Sequence, residues 1–117
     1  MREVALHTSL GVLAALRNDG EGPRVLALHG WLDNAASFLP LAAHLPGIDL
    51  VALDLPGHGH STHLPPGADY SFASAIASVL DAADALGWER FVLLGHSMGA
   101  GIASQVSAAF PQRIERL

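Results

Sequence analysis

The sequence predicts an α/β fold, a mostly parallel sheet flanked by helices. Three observations carry that expectation. Short, nearly unbroken apolar runs recur along the chain, at "RVLALHG", "GIDLVALDLPG" and "FVLLG"; runs without polar alternation are strands covered on both faces. Alanine-rich segments with helical spacing separate them. Glycine closes most of these runs, and polar turn residues fill the gaps, so elements alternate between strand and helix as a parallel sheet requires.

Each element follows from its residues. "EVALHTSLGVLAAL" holds two apolar runs around "TSLG" and reads as a hairpin from Glu3 to Leu16. "RNDGEGP" is a polar loop, and the next strand runs from Val25 to His29. "NAASFLPLAAHL" has helical spacing, with Asn34 as N-cap and Pro40 tolerable only near the start. Ile48 to Leu53 is a strand ending at Asp54, and "HGHSTHLPPGAD" is turn chemistry throughout. "YSFASAIASVLDAADALG" is a helix stopped by Gly87. Phe91 to Leu94 is a strand, Ala100 to Ala109 a helix, and "RIERL" the approach to a further strand. The order is β-β-β-α-β-α-β-α, within one domain, and there is no internal repeat or linker.

Composition narrows the function. Half of the 117 residues are apolar and 15% are charged, which suits a packed core. The net charge is -5, the six basic residues are scattered arginines, and lysine is absent. No basic stripe exists for nucleic acid or an anionic membrane. No cysteine is present, which rules out disulfides, thiolate metal sites and a cysteine nucleophile. No apolar run is long enough to span a bilayer. "SLGVLAAL" is too brief for a signal-peptide core, contains Gly11 and follows Glu3 and His7, so it reads as a strand. The default location is the cytoplasm.

One stretch raises a chemical question. "FVLLGHSMGAG" runs from a strand through Gly-His-Ser-Met-Gly into small helical residues. A serine forced into a sharp strand-to-helix turn projects its hydroxyl beyond the sheet, and Gly95 and Gly99 leave room around Ser97 where larger side chains would collide. This is the pattern of a nucleophile elbow. Its alternative is an ordinary turn, since the same residue types are common in turns; the flanking strand and helix favour the elbow. A dinucleotide site is a poorer match, because in "GAGIAS" Ser104 stands where the third glycine belongs.

An acyl-transfer site needs two N–H donors for its oxyanion, each worth about 3 kcal/mol. The Met98 N–H is one candidate, and the Trp31 N–H, on the loop opened by Gly30, is the other. The bland alternative is that His29-Gly30 merely ends a strand. After the next strand, Asp54, Gly57, Gly59 and Ser61 form a tight turn that braces the site. "HGHSTH" also places His58, His60 and His63 in an H-x-H-x-x-H pattern, and three imidazoles bind zinc. That pattern is close to the H-x-H-x-D-H of metallo-β-lactamase-like hydrolases, but Thr62 stands in the place of their aspartate.

Taken in order, "HGWLDNAASF", "DLPGHGHS", "LGWERFVLLGHSMGAG" and "FPQRIERL" resemble the α/β-hydrolase fold, and most closely its serine-hydrolase-like members, from Val25 onward. The resemblance implies that Ser97 is the nucleophile and that the Trp31 and Met98 backbones form the oxyanion hole. It implies an ester or related small-molecule acyl substrate and no cofactor.

The rest of a triad is missing from the residues at hand. In the family the order is serine, then acid, then histidine, yet after Ser97 the only acid is Glu115 and no histidine follows. The resemblance therefore identifies residues 1–117 as the N-terminal part of a hydrolase domain, short of its C-terminal strands, cap, acid and histidine. The chain by itself is expected to be inactive or nearly so. His96, next to Ser97, is expected to turn away from it and pack in the elbow, and His29 to be structural. A non-catalytic binding role, or none, is the alternative for the chain as given. Ending at Leu117 is also expected to leave the Phe91–Leu94 strand with an open apolar edge, which invites association.

Overall fold

The computed structural model describes residues 1–8, 11–30, 33–44, 47–55, 61 and 72–117. The hairpin forms as its two apolar runs dictate: β1 (Arg2–Thr8) and β2 (Gly11–Arg17) pair antiparallel, with Arg2 opposite Arg17 and Thr8 opposite Gly11. The remaining elements are β3 (Arg24–Leu28), a 3₁₀ turn (Ala35–Phe38) running into α1 (Leu39–His44), β4 (Asp49–Leu53), α2 (Phe72–Ala85), β5 (Phe91–Gly95), α3 (Met98–Ala109), a second 3₁₀ turn (Pro111–Arg113) and β6 (Ile114–Arg116).

The six strands lie in the order β1-β2-β4-β3-β5-β6. β3 pairs parallel with β4 on one side and β5 on the other, β6 adds parallel to β5, and the hairpin joins antiparallel through β2. The sheet is thus mixed, with a parallel centre. The register aligns Leu28 with both Leu53 and Gly95. Three strands therefore end level, and His29, Asp54 and His96 follow them in a row. β4 and β5, successive strands in the chain, fall on opposite sides of β3. That reversal opens the crevice at strand carboxyl ends where ligands bind in open α/β sheets.

The unbroken apolar runs sort by alternation into two cores. Leu26, Leu28, Val51, Leu53, Phe91 and Leu93 meet Val79, Ala82 and Ala83 of α2 and Ile102, Ala103 and Val106 of α3. On the opposite face, Val25, Ala27, Leu50 and Ala52 meet Ala35 and Phe38. Each large side chain taken wholly from water contributes about 1.5–3 kcal/mol, which explains why the only charged residues of β3 and β4, Arg24 and Asp49, stand at the strand starts.

Two element ends matter for placement. α2 stops where Gly87 takes φ +74°. There the Trp88 N–H donates to the Ala83 carbonyl at 2.9 Å and the Gly87 N–H to that of Asp84 at 3.0 Å, the paired bonds of a Schellman motif. Arg113 locks this turn to the approach of β6. It donates to the Glu89 carbonyl at 2.6 Å, to the Trp88 carbonyl at 2.9 Å and to the Asp84 carboxylate at 2.8 Å.

Two expectations are refined. The helix expected from Asn34 opens as a 3₁₀ turn, although Asn34 caps it as anticipated, its Oδ1 accepting the Ala36 N–H at 2.9 Å. Pro40 is the second residue of α1, where its missing N–H does no harm. The edge of β5 expected to be open is covered in part, because β6 pairs Ile114 with Phe91 and Arg116 with Val92. The expected turn after Asp54 lies, apart from Ser61, outside the described residues. No helix among the described residues is long and apolar enough to cross a membrane.

Leu26 is fully buried at the centre of the larger core. Leu26→Ala is expected to cost about 2–5 kcal/mol in urea denaturation; a loss below about 1 kcal/mol would contradict this packing.

Candidate active site

The sharpest local feature is the backbone at Ser97. Its φ is +58° and ψ -119°, and its side chain makes no capping bond to α3. Serine normally begins a helix in extended geometry while its oxygen holds an N–H; this one does neither. A non-glycine residue in such a conformation stores about 1–3 kcal/mol of strain, which the surroundings must hold in place.

The surroundings are glycine on both sides. A Cβ on Gly95 would stand 2.5 Å from the Gly99 carbonyl oxygen and 2.6 Å from the Ala100 backbone. A Cβ on Gly99 would stand 2.2 Å from the Leu28 carbonyl oxygen and 2.7 Å from that of His29. Neither neighbour is a side chain that can swing aside. The turn is knitted by bonds of His96 N–H to the Leu28 carbonyl at 3.1 Å and Gly99 N–H to the His96 carbonyl at 3.0 Å. The Ala100 and Gly101 N–H groups both donate to the Ser97 carbonyl, at 2.9 and 3.3 Å. That leaves the Met98 N–H as the first-turn donor of α3 with no backbone acceptor among the described residues, at the positive end of a twelve-residue helix. Ser97 itself is exposed.

Across from the elbow lies Gly30. A Cβ there would meet the Ser97 Cβ at 3.3 Å and His96 Nδ1 at 3.7 Å, so both side chains flank this glycine. His96 is exposed and does not pack into the elbow as expected. Trp31, the expected second oxyanion donor, lies outside the described residues. His29 is structural as expected: it is fully buried, with Nδ1 2.6 Å from the Gly30 carbonyl oxygen and Nε2 accepting the Leu55 N–H at 3.0 Å.

The bracing role expected of Asp54 and Ser61 takes a definite form. Asp54 Oδ1 accepts the Ala35 N–H at 2.7 Å, and the Asp54 N–H donates to the Ala14 carbonyl at 2.8 Å. The Ser61 hydroxyl donates to the Asp54 carbonyl and accepts the Ala14 N–H. Both residues are buried, and together they tie the hairpin, the end of β4 and the start of the 3₁₀ turn.

Asp33, which the sequence reading passed over, sits beside this group. Its N–H donates to the Gly30 carbonyl at 3.2 Å, and its Oδ1 accepts from the Ser37 hydroxyl and the Asn34 N–H. These bonds, the Ser37 hydroxyl foremost, hold its carboxyl below the usual aspartate range. Of the remaining histidines, His7 lies in β1 and His44 ends α1, both exposed. His58, His60 and His63, and with them the metal reading, fall outside the described residues. Among the described residues no cluster of histidine or acidic side chains is placed to hold a metal.

The family model for the alpha/beta hydrolase fold matches residues 23–117. The chain belongs to the α/β-hydrolase fold family. Its relatives in that family include a serine hydrolase-like protein of Dictyostelium discoideum, 44% identical over 98% of this chain and 33% of the relative, and one of Homo sapiens, 42% identical over 83% and 48%. Among solved structures, a hypothetical protein of Pseudomonas aeruginosa PAO1 superposes with a TM-score of 0.96 at 50% identity, over the whole of this chain and 42% of that one. A bacterial membrane phospholipase A superposes with a TM-score of 0.91 at 32% identity, over 97% and 37%. The chain thus spans about a third to a half of these α/β-hydrolase relatives.

Two outcomes follow from this geometry. Gly99→Ala is expected to destabilise by about 2 kcal/mol or more, because α3 must lift off β3. Gly87→Ala, with open space around it and only its positive φ to strain, is expected to cost about 1 kcal/mol; guanidinium denaturation showing the reverse order would contradict the close approach. The Asp33 carboxylate is favoured by the fold in its ionised form, so its contribution is present above the usual aspartate value. It is lost as pH falls through the lowered folded-state value. A carboxyl-carbon NMR titration is expected to place its midpoint below that of ordinary aspartate, and Ser37→Ala to raise it; an unmoved midpoint would refute the assigned cause.

Proposed function

We propose that this chain carries the nucleophile half of a serine hydrolase acting on an ester-like carbonyl of a small-molecule substrate. The observation that carries the reading is the Ser97 backbone, held at positive φ between two glycines that admit no side chain, with a hydroxyl that does no capping. Such strain has no evident purpose in a merely structural turn; in an elbow it presents the nucleophile.

In this mechanism Ser97 Oγ attacks the acyl carbon as a base takes its proton. The carbonyl oxygen becomes an oxyanion between the Met98 and Trp31 N–H groups, with the α3 N-terminus favouring the charge. Collapse expels the alcohol, which receives the proton from the base, and leaves an acyl-serine that water hydrolyses in a second, equivalent passage. Gly95 and Gly99 keep the elbow open, and no cofactor takes part. The base and its orienting acid are assigned to residues C-terminal to Leu117, so residues 1–117 are the N-terminal part of the hydrolase domain. The greater length of the relatives supports this assignment. Without base and acid, oxyanion donors and binding retain roughly 10³–10⁴-fold over water, and the chain alone is close to inactive. A non-catalytic binding member of the fold is the second reading.

A fluorophosphonate probe decides between them. Labelling of the full-length protein at Ser97, abolished in Ser97→Ala, is the expected result. Absence of an adduct, or label that survives the substitution, would leave the binding reading.

A further inference from the structure

We propose that the outer edge of β1 docks a second copy of this chain, the two β1 strands pairing antiparallel about Ala5 and joining two sheets into one. β1 ends the strand order, and among the described residues no strand lies beyond it. It runs for seven residues without proline, lysine or glycine. Its pairing with β2 is continuous from Arg2 to Thr8. The proline, lysine or bulge that commonly blunts a sheet edge is therefore absent.

β2 fixes which backbone groups of β1 point outward. The Ala14 carbonyl accepts the Asp54 N–H at 2.8 Å, and the Ala14 N–H donates to the Ser61 hydroxyl at 2.9 Å. Ala14 thus directs both groups away from β1. Opposed residues of an antiparallel pair alternate between bonding each other and facing apart. Ala5, opposite Ala14, therefore turns its own N–H and carbonyl toward the outer edge, and Glu3 and His7 share that direction. A second β1, laid antiparallel with Ala5 against Ala5, meets these groups in register. Ala5 bonds Ala5, and Glu3 of each copy bonds His7 of the other.

The side chains agree with that register. Glu3, Ala5 and His7 leave one face of the strand and are exposed. Across the two-fold axis the Glu3 carboxylate of one copy stands opposite the His7 imidazole of the other, twice, and an imidazole N–H donates to a carboxylate. Glu3 also has a contact within its own chain; a carboxylate offers about four acceptor sites, so the two are compatible. On the other face Val4, at the rim of the larger core, stands opposite Leu6 of the second copy, and the core continues across the join. Any strand could use the backbone groups; acid and imidazole placed evenly about a central alanine select the same sequence. The axis runs normal to the sheet, so the two Ser97 elbows open at opposite ends of the joined sheet.

Sedimentation velocity on the full-length protein, across a dilution series, is expected to show a reversible dimer. Ala5→Pro removes an N–H that β2 does not use, at the kind of edge position where proline is tolerated. It is expected to raise the dimer Kd about tenfold or more while leaving the far-UV circular dichroism of the monomer unchanged. His7→Glu, which sets like charges opposite each other twice, is expected to raise Kd about fivefold, and His7→Lys to lower it about threefold. A protein monomeric throughout the series, a dimer that Ala5→Pro leaves intact, or His7 variants that shift Kd in the same direction would overturn the proposal. Hydrogen exchange followed by NMR supplies an arm that needs no variant. The Ala5 and His7 amides are expected to gain protection as concentration rises, whereas those of Val4 and Leu6, bonded to β2, are protected throughout; Ala5 and His7 amides that exchange equally fast at every concentration overturn the proposal as well.

Discussion

The structure hinges on how closely the start of α3 lies against the end of β3. At Gly99 the helix backbone comes so near the Leu28 and His29 carbonyls that no side chain fits between them. A helix packed on a sheet ordinarily stands off by the thickness of its side chains; here it touches through backbone alone. That contact leaves the chain one short turn in which to leave β5 and enter α3, and Ser97 takes its positive φ within it. The strain is held by parts that have no freedom to relax it: a central strand hydrogen-bonded on both sides and a helix whose inner face is wholly buried. The rigidity of the core is thereby converted into the pointing of one hydroxyl.

Around that contact, polar groups at the ends of the central strands are committed to the frame. His29 joins β3 to the segment after β4, Asp54 caps the 3₁₀ turn, and Ser61 stitches the same place to the hairpin. No buried side-chain polar atom among the described residues lacks a partner, so the low-dielectric edge carries little unsatisfied polarity. Ser97 and His96, by contrast, are exposed. The division is physical: groups that set geometry are buried and bonded, and groups available for chemistry face outward.

What the sequence made legible were features encoded within a few residues. The unbroken apolar runs marked the strands, Asn34 marked its cap, Gly87 marked the end of α2, and the spacing Gly95-Ser97-Gly99 marked the elbow. Features that depend on residues brought together from afar were not readable. Nothing near Ser61 announces Ala14 as its partner, and nothing near His29 announces Leu55. Asp33 escaped notice because its importance lies in touching Gly30 and Ser37 in three dimensions. The 3₁₀ opening before α1 differs from an α-helix by one hydrogen-bond step, a difference composition barely records. The partial covering of β5 was half legible: "RIERL" reads as the approach to a strand, but three residues are too few to show which strand they pair with.

The central position of β3 has a consequence for how the chain acquires its shape. Its neighbours in the sheet come from widely separated parts of the chain, β4 first and β5 much later. Such non-local, parallel pairings form slowly because long loops must close before contacts reward them. During synthesis the hairpin can assemble at once, whereas β3 has one bare edge until β5 emerges. Throughout that interval one edge of β3 is open to other chains. The same arrangement that delivers Ser97 to the middle of the sheet also makes its arrival wait until β5 has docked on β3.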